Sequence, residues 1–176
     1  MLKGLLGASR QGRRDDAELG KGVWRRAHDR FRRGLDRFHQ MLEGVADDAA
    51  HPAPAAEAGQ DQGQPGARPV GNGPAENYAA LVPIANALAD LLPVVRTIAA
   101  QAHAIAPSEG MEIPTGTGGY LNDVHRELSR AGNALATAAE AAAMVRLGAG
   151  EVSGVERRAG LVHEHVNRAA ELLAKK

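Results

Sequence analysis

Cysteine is absent from these 176 residues. That absence excludes disulfides, thiolate metal sites, iron–sulfur clusters and cysteine nucleophiles. Aromatic side chains are scarce, with two Phe, two Tyr and one Trp. Since β-branched residues are few as well, a sheet protein is not expected. Serine occurs only at Ser9, Ser108, Ser129 and Ser153, and none sits in the Gly-x-Ser-x-Gly elbow of a hydrolase. No Glu is followed three residues later by His, and His-Glu-x-x-His does not occur. The seven histidines therefore lack the helical spacings that hold di-iron or zinc. His163 and His165 point about 200° apart on a helix and cannot share an ion. The stretch Thr115 to Gly119 is glycine-rich but has no Lys after it and no strand before it, so it is not read as a phosphate loop. No catalytic, cofactor or metal residue is assigned, and the chain is expected not to be an enzyme.

Long uninterrupted apolar runs are missing too. Leu2, Leu5 and Leu6 fall short of the core of a signal peptide. The most apolar window, Tyr78 to Arg96, contains Pro83, Asn86, Asp90 and Pro93. An uncompensated Asp at mid-membrane costs about 2.5–3.5 kcal/mol on insertion scales. These features lead us to expect a soluble cytoplasmic protein, with a place at the membrane periphery as the alternative.

What the chain has in abundance is alanine, 35 residues, and glycine, 21. Arginine outnumbers lysine 17 to 4, a bias in keeping with GC-rich codon usage. The formal net charge is zero, but the charge is unevenly spread. Residues 1–40 hold 11 basic and five acidic side chains, a local balance of +6, and the remaining 136 carry −6. A basic front of this kind attracts anionic partners, or the acidic remainder of its own chain.

Residues 49–75 carry Pro52, Pro54, Pro65, Pro69 and Pro74, five glycines, and Val70 as the one larger aliphatic. Nothing there offsets ordering the backbone at about 1–2 kcal/mol per residue, so this segment reads as a disordered linker. Before it, Trp24, His28, Phe31, Leu35, Phe38, Leu42 and Val45 repeat every three or four residues, the stripe of an amphipathic helix over 17–48. Asp15 and Asp16 suit its N-terminal end, while Gly20, Gly22 and Gly34 weaken it by about 1 kcal/mol each. Residues 1–16 read as a flexible basic N-terminus.

Three further seams follow the linker. Leu81, Ile84, Leu88, Leu91, Val95, Ile98, Ala102 and Ile105 place a helix at about 77–106. Leu121, Val124, Leu128, Ala131, Leu135, Ala138, Ala142 and Val145 place the next at about 119–147. Val155, Ala159, Val162, Val166, Ala169 and Leu173 place the last at about 153–174. The widest apolar face belongs to 77–106, which is expected to be the most buried of the four. Gly148 reads as a helix stop, and Ser153 with Glu156 as a capping box. The fold class is all-α: a four-helix bundle, or a three-helix bundle over 76–176 plus a long N-terminal helix, joined by the Pro/Gly/Ala-rich linker. Helical seams of this kind are common to many unrelated bundles and identify no family.

Three functions fit this organisation. The leading one is a non-catalytic bundle acting through protein–protein contact, as scaffold, adaptor or homo-oligomer, with Trp24, Phe31, Leu35 and Phe38 as the contact strip. The second is a peripheral adaptor on an anionic membrane surface, using Arg25, Arg26, Arg32 and Arg33. The third is a small-molecule-binding bundle with a pocket near the proline-containing helix. Nucleic acid is disfavoured, because no aromatic interleaves the arginines as a base-stacking platform. No cofactor is expected.

Overall fold

The computed structural model describes residues 12–51, 72–113 and 118–175. Most of the predicted linker, and residues 1–11 of the predicted basic N-terminus, lie outside them. Among the described residues there is no strand. Five helices follow a helical lead-in at 12–19: α1 (Val23–Ala50), α2 (Pro74–Ala89), α3 (Leu91–Ile105), α4 (Tyr120–Arg146) and α5 (Val152–Ala174). The all-α expectation holds, and α2 with α3 forms one interrupted rod.

Two local boundaries differ from the sequence reading. The first helix does not run unbroken from residue 17, because Gly20 adopts φ +65° and the chain turns before α1 begins. A side chain at Gly22 would collide with Ser108, whose carbonyl accepts from the Gly22 N–H at 2.9 Å. These glycines are thus required by a tight crossing between the start of α1 and the loop after α3, where only hydrogen fits. The segment 12–16, expected to be flexible, is helical from residue 12. Asp15 and Asp16 form ion pairs with Arg25 in place of capping a helix. At the other end, α5 begins at Val152 behind Glu151 with no side-chain cap, so the expected Ser153–Glu156 box is not formed. Gly148 does take the left-handed conformation, φ +69°. Bonds from Gly148 N–H to Val145 and from Ala149 N–H to Met144 close the end of α4.

Side-chain pairings give the helix directions. Trp24 lies against His125 and Asp48 against Arg146, so α1 and α4 run parallel. The Trp24 indole N–H donates to the Ala106 carbonyl at 3.1 Å, just past the end of α3, so α1 opposes the α2–α3 rod. Glu127 meets His165 across α4 and α5, which are antiparallel as their short connection requires.

The core is the meeting of the four predicted seams. Every seam residue of α4 and α5 is buried, as are Trp24, Phe31, Leu35, Phe38 and Val45 of α1. The most buried helix is α4, with twelve buried residues, against three in α2 and five in α3. The expectation for 77–106 is corrected here, and side-chain size explains it. Small residues such as Ala131, Ala138 and Ala142 let α1 and α5 close on α4 from two sides. The α2–α3 rod packs by one stripe and leaves the other open, where Asn86, Asp90, Thr97 and Gln101 are exposed. Among the described residues, Pro74–Ile105 is the one helix long and apolar enough to cross a membrane. Pro93 has no N–H for the Ala89 carbonyl, and the helix breaks at Asp90. Leu88 and Leu91 on either side of the break are both buried, so the seam continues across it.

The Phe38 side chain is fully buried. Phe38→Ala is expected to lower unfolding free energy in urea by about 3–5 kcal/mol, since it opens a cavity in the core. Tyr120 offers a contrast: its hydroxyl is buried and has no hydrogen-bond partner among the described residues. Tyr120→Phe removes that cost and is expected to leave the melting temperature unchanged or raised. A clear fall would show that the hydroxyl is satisfied in solution.

Candidate functional site

The contact strip read from the sequence is used inside the protein. Trp24, Phe31 and Phe38 are 0 % exposed and Leu35 is 4 % exposed. All four face the chain's own helices, so an external partner would have to peel α1 away to reach them. Their size is the reason. They are the bulkiest side chains opposite an alanine-rich wall, and burying each is worth about 1.5–3 kcal/mol.

The arginine set divides. Arg25 is turned inward, with its guanidinium on Asp16 at 2.8 Å, Asp29 at 2.8 Å and Asp15 at 3.7 Å. Its charge is met by these three carboxylates within the fold. Arg32 sits 3.7 Å from Asp29. Arg26 and Arg33 are exposed and form no ion pair among the described residues.

Helical register adds two members that the sequence reading had not selected. Arg26, Arg30, Arg33 and Arg37 follow at steps of four, three and four, all exposed. At 100° per residue they fall within about 60° of one another and span about 16 Å along α1. None has a carboxylate within ion-pair distance among the described residues. The Arg30 stem runs over Gly132 of α4, which fixes the stripe on the shoulder between α1 and α4. Asp29, beside the stripe, is taken up by Arg25 and Arg32. The sequence did carry this signal, as the heptad-like spacing of 26, 30, 33 and 37. The crowd of arginines around it hid which ones lack a carboxylate partner among the described residues.

A second ionic cluster anchors the lead-in. Asp15, 1 % exposed, accepts from Arg96 of α3 at 2.6 Å, and Glu18 accepts from the same guanidinium at 2.7 Å. These bonds hold the Arg96 guanidinium above its ordinary pKa. Beside Pro93 lies a small cavity of about 360 Å³ lined by Asp15, His28, Arg32, Leu92 and Arg96. It occupies the place where a small-molecule pocket was expected. Its buried Asp15 and half-buried Arg96 are committed to protein partners.

A groove of about 750 Å³ runs between α4 and α5. Its floor is Glu127, 5 % exposed, which pairs with His165 Nδ1 at 2.7 Å and accepts from Arg130 at 2.7 Å. Burial alone would raise the Glu127 pKa, but the bonds from His165 and Arg130 outweigh it and hold the carboxylate below its usual value. The contact joins residues 38 positions apart, so no local motif announced it. No hydroxyl or thiol lines this groove to act as a nucleophile. Among the described residues no group of three or more metal-ligating side chains forms.

Buried His28 and half-buried His125 make stability depend on pH. Burial lowers the His28 pKa despite the opposing Asp29 carboxylate, and burial together with the Arg30 charge lowers that of His125. The unfolded chain therefore takes up protons before the native state does. Stability is full above the ordinary histidine value of 6.5 and declines as pH falls from there toward the lowered native values. The urea midpoint is expected to drop between about pH 7.5 and about pH 5.5, and His28→Leu with His125→Leu should flatten that slope. A slope unchanged by the double substitution would assign the dependence elsewhere.

Comparison with protein-family models, with curated proteins and with solved structures gives no match.

Proposed function

We propose that this protein is a non-catalytic helical adaptor that works by docking the basic face of α1 on a polyanionic partner. The observation that carries this reading is the stripe of Arg26, Arg30, Arg33 and Arg37, four exposed guanidiniums on one helix face without carboxylate partners among the described residues. The rest of the fold pairs many of its arginines: Arg25, Arg96, Arg126, Arg130 and Arg146 each sit within 4 Å of a carboxylate. A row of four left open keeps its full attraction for phosphate or carboxylate groups, and a row can engage several at once. The non-catalytic part of the reading is supported by the groove chemistry: its one buried carboxylate and its histidine are joined to each other, with no nucleophile beside them.

Contact with another protein is the second reading. One observation favours it: the elbow between α4 and α5 exposes Leu147 at 75 % and Met144 at 45 %. Exposed apolar side chains at one turn suit a small protein contact.

Retention on immobilised heparin, used purely as a polyanion, tests the main reading. The unaltered chain should be held in low salt and released as salt rises, because exposed charges are screened beyond about 10 Å at 0.1 M. Replacing Arg26, Arg30, Arg33 and Arg37 by Gln should abolish retention without changing helicity. Equal retention of both proteins would overturn the proposal.

A further inference from the structure

Resting on that reading, we infer that the polyanion is the anionic face of a lipid bilayer, against which α1 lies side-on along its arginine stripe. The geometry of α1 favours a plane over a groove. The helix lies against the bundle by its inner side and two flanks: Trp24, Phe31 and Phe38 anchor the inner side, Arg30 runs over Gly132 of α4 on one flank, and His28 shares a cavity with Pro93 of α3 on the other. A recognition helix must project far enough to enter a major groove about 12 Å wide, and a helix flanked by neighbours on both sides does not. Single-stranded nucleic acid asks for exposed aromatic rings on which bases stack, and every aromatic of α1 is interior. A flat surface asks only that the charges share a tangent plane. Four arginines within about 60° of helix circumference meet that condition together.

Charge asymmetry points the same way. Residues 1–40 carry +6 and the remainder −6, so the chain has a strong charge separation without net charge. An extended anionic plane attracts the basic front of such a chain as it approaches. Each basic residue brought to an anionic leaflet is worth roughly fivefold in partition. Four of them give reversible binding that salt releases, and insertion of the chain is not required.

The test is co-sedimentation of the full chain with vesicles of phosphatidylcholine alone, or with about a third phosphatidylserine, in low and high salt. Binding should require the anionic lipid and disappear in high salt. Arg30→Gln with Arg33→Gln should weaken it by about tenfold or more, whereas Arg157→Gln with Arg168→Gln, the same charge loss on α5, should weaken it by less than about threefold. Because the Arg30 stem packs on α4, Arg30→Lys with Arg33→Lys serves as a second variant and should keep most of the binding. Equal losses from the α1 and α5 pairs would overturn the side-on docking. A parallel titration with duplex and single-stranded oligonucleotides separates the two levels of the argument. Stripe-dependent binding to nucleic acid without binding to vesicles would sink the bilayer and leave the polyanion function standing. Failure to bind vesicles, oligonucleotides and heparin alike would remove both.

Discussion

Three of the five aromatic side chains in this protein lie on one helix, and the fold depends on burying them. Trp24, Phe31 and Phe38 are wholly inside, and five of the twelve buried residues of the neighbouring α4 are alanine. The pairing is complementary in volume. Alanine alone buries too little area per residue to hold a bundle, and large rings need a shallow wall to pack against. Docking α1 along α4 meets both needs, and α4 becomes the helix on which α1 and α5 converge. The indole N–H of Trp24 finds the Ala106 carbonyl, so the ring's one polar atom is satisfied where the α1 and α3 ends meet. Gly20 and Gly22 allow the backbone to pass Ser108 at that same corner.

Once the rings are inside, the surface chemistry of α1 follows. Its inward face is aromatic, and the face left open to water carries Asp36, Gln40, Glu43 and Asp47 as well as arginines. The arginines are sorted by that constraint. Arg25 falls on the flank beside the lead-in and is consumed by Asp15, Asp16 and Asp29. Arg26, Arg30, Arg33 and Arg37 fall on the open face and have no carboxylate partner among the described residues. The acidic residues do comparable sorting from the other side: Asp15 reaches into the protein to meet Arg96, and Glu127 is buried because His165 and Arg130 accompany it. A buried carboxylate persists only with such company.

Much of the helical layout was legible in the sequence because apolar spacing is a local property. Leu121 through Val145 and Val155 through Leu173 are buried at every position the rhythm marked. The errors have physical causes. The span 77–106 carries the larger apolar residues, yet α4 is the more buried helix, since burial depends on how many neighbours a helix has and alanine admits two. Asp15 looked like a helix cap because capping is the commonest local use of Asp before a helix; its actual partners are on α1 and on α3, the latter 81 positions away. Likewise, Ser153 and Glu156 matched a cap pattern that the observed start of α5, one residue earlier, leaves unused.

The candidate site shows the same division more sharply. Sequence alone determined that the chain is helical, that no cysteine or metal-spaced histidine chemistry is present, and that positive charge gathers at the front. These follow from composition and from periods of three and four, which need no partner to be read. Tertiary structure alone decided that α1 runs parallel to α4, that its aromatic strip faces inward, and which arginines are spent on internal carboxylates. It also brought Glu127 to His165. Those outcomes depend on which distant segment lies across each side chain, and the spacing of apolar residues along one helix does not encode that choice.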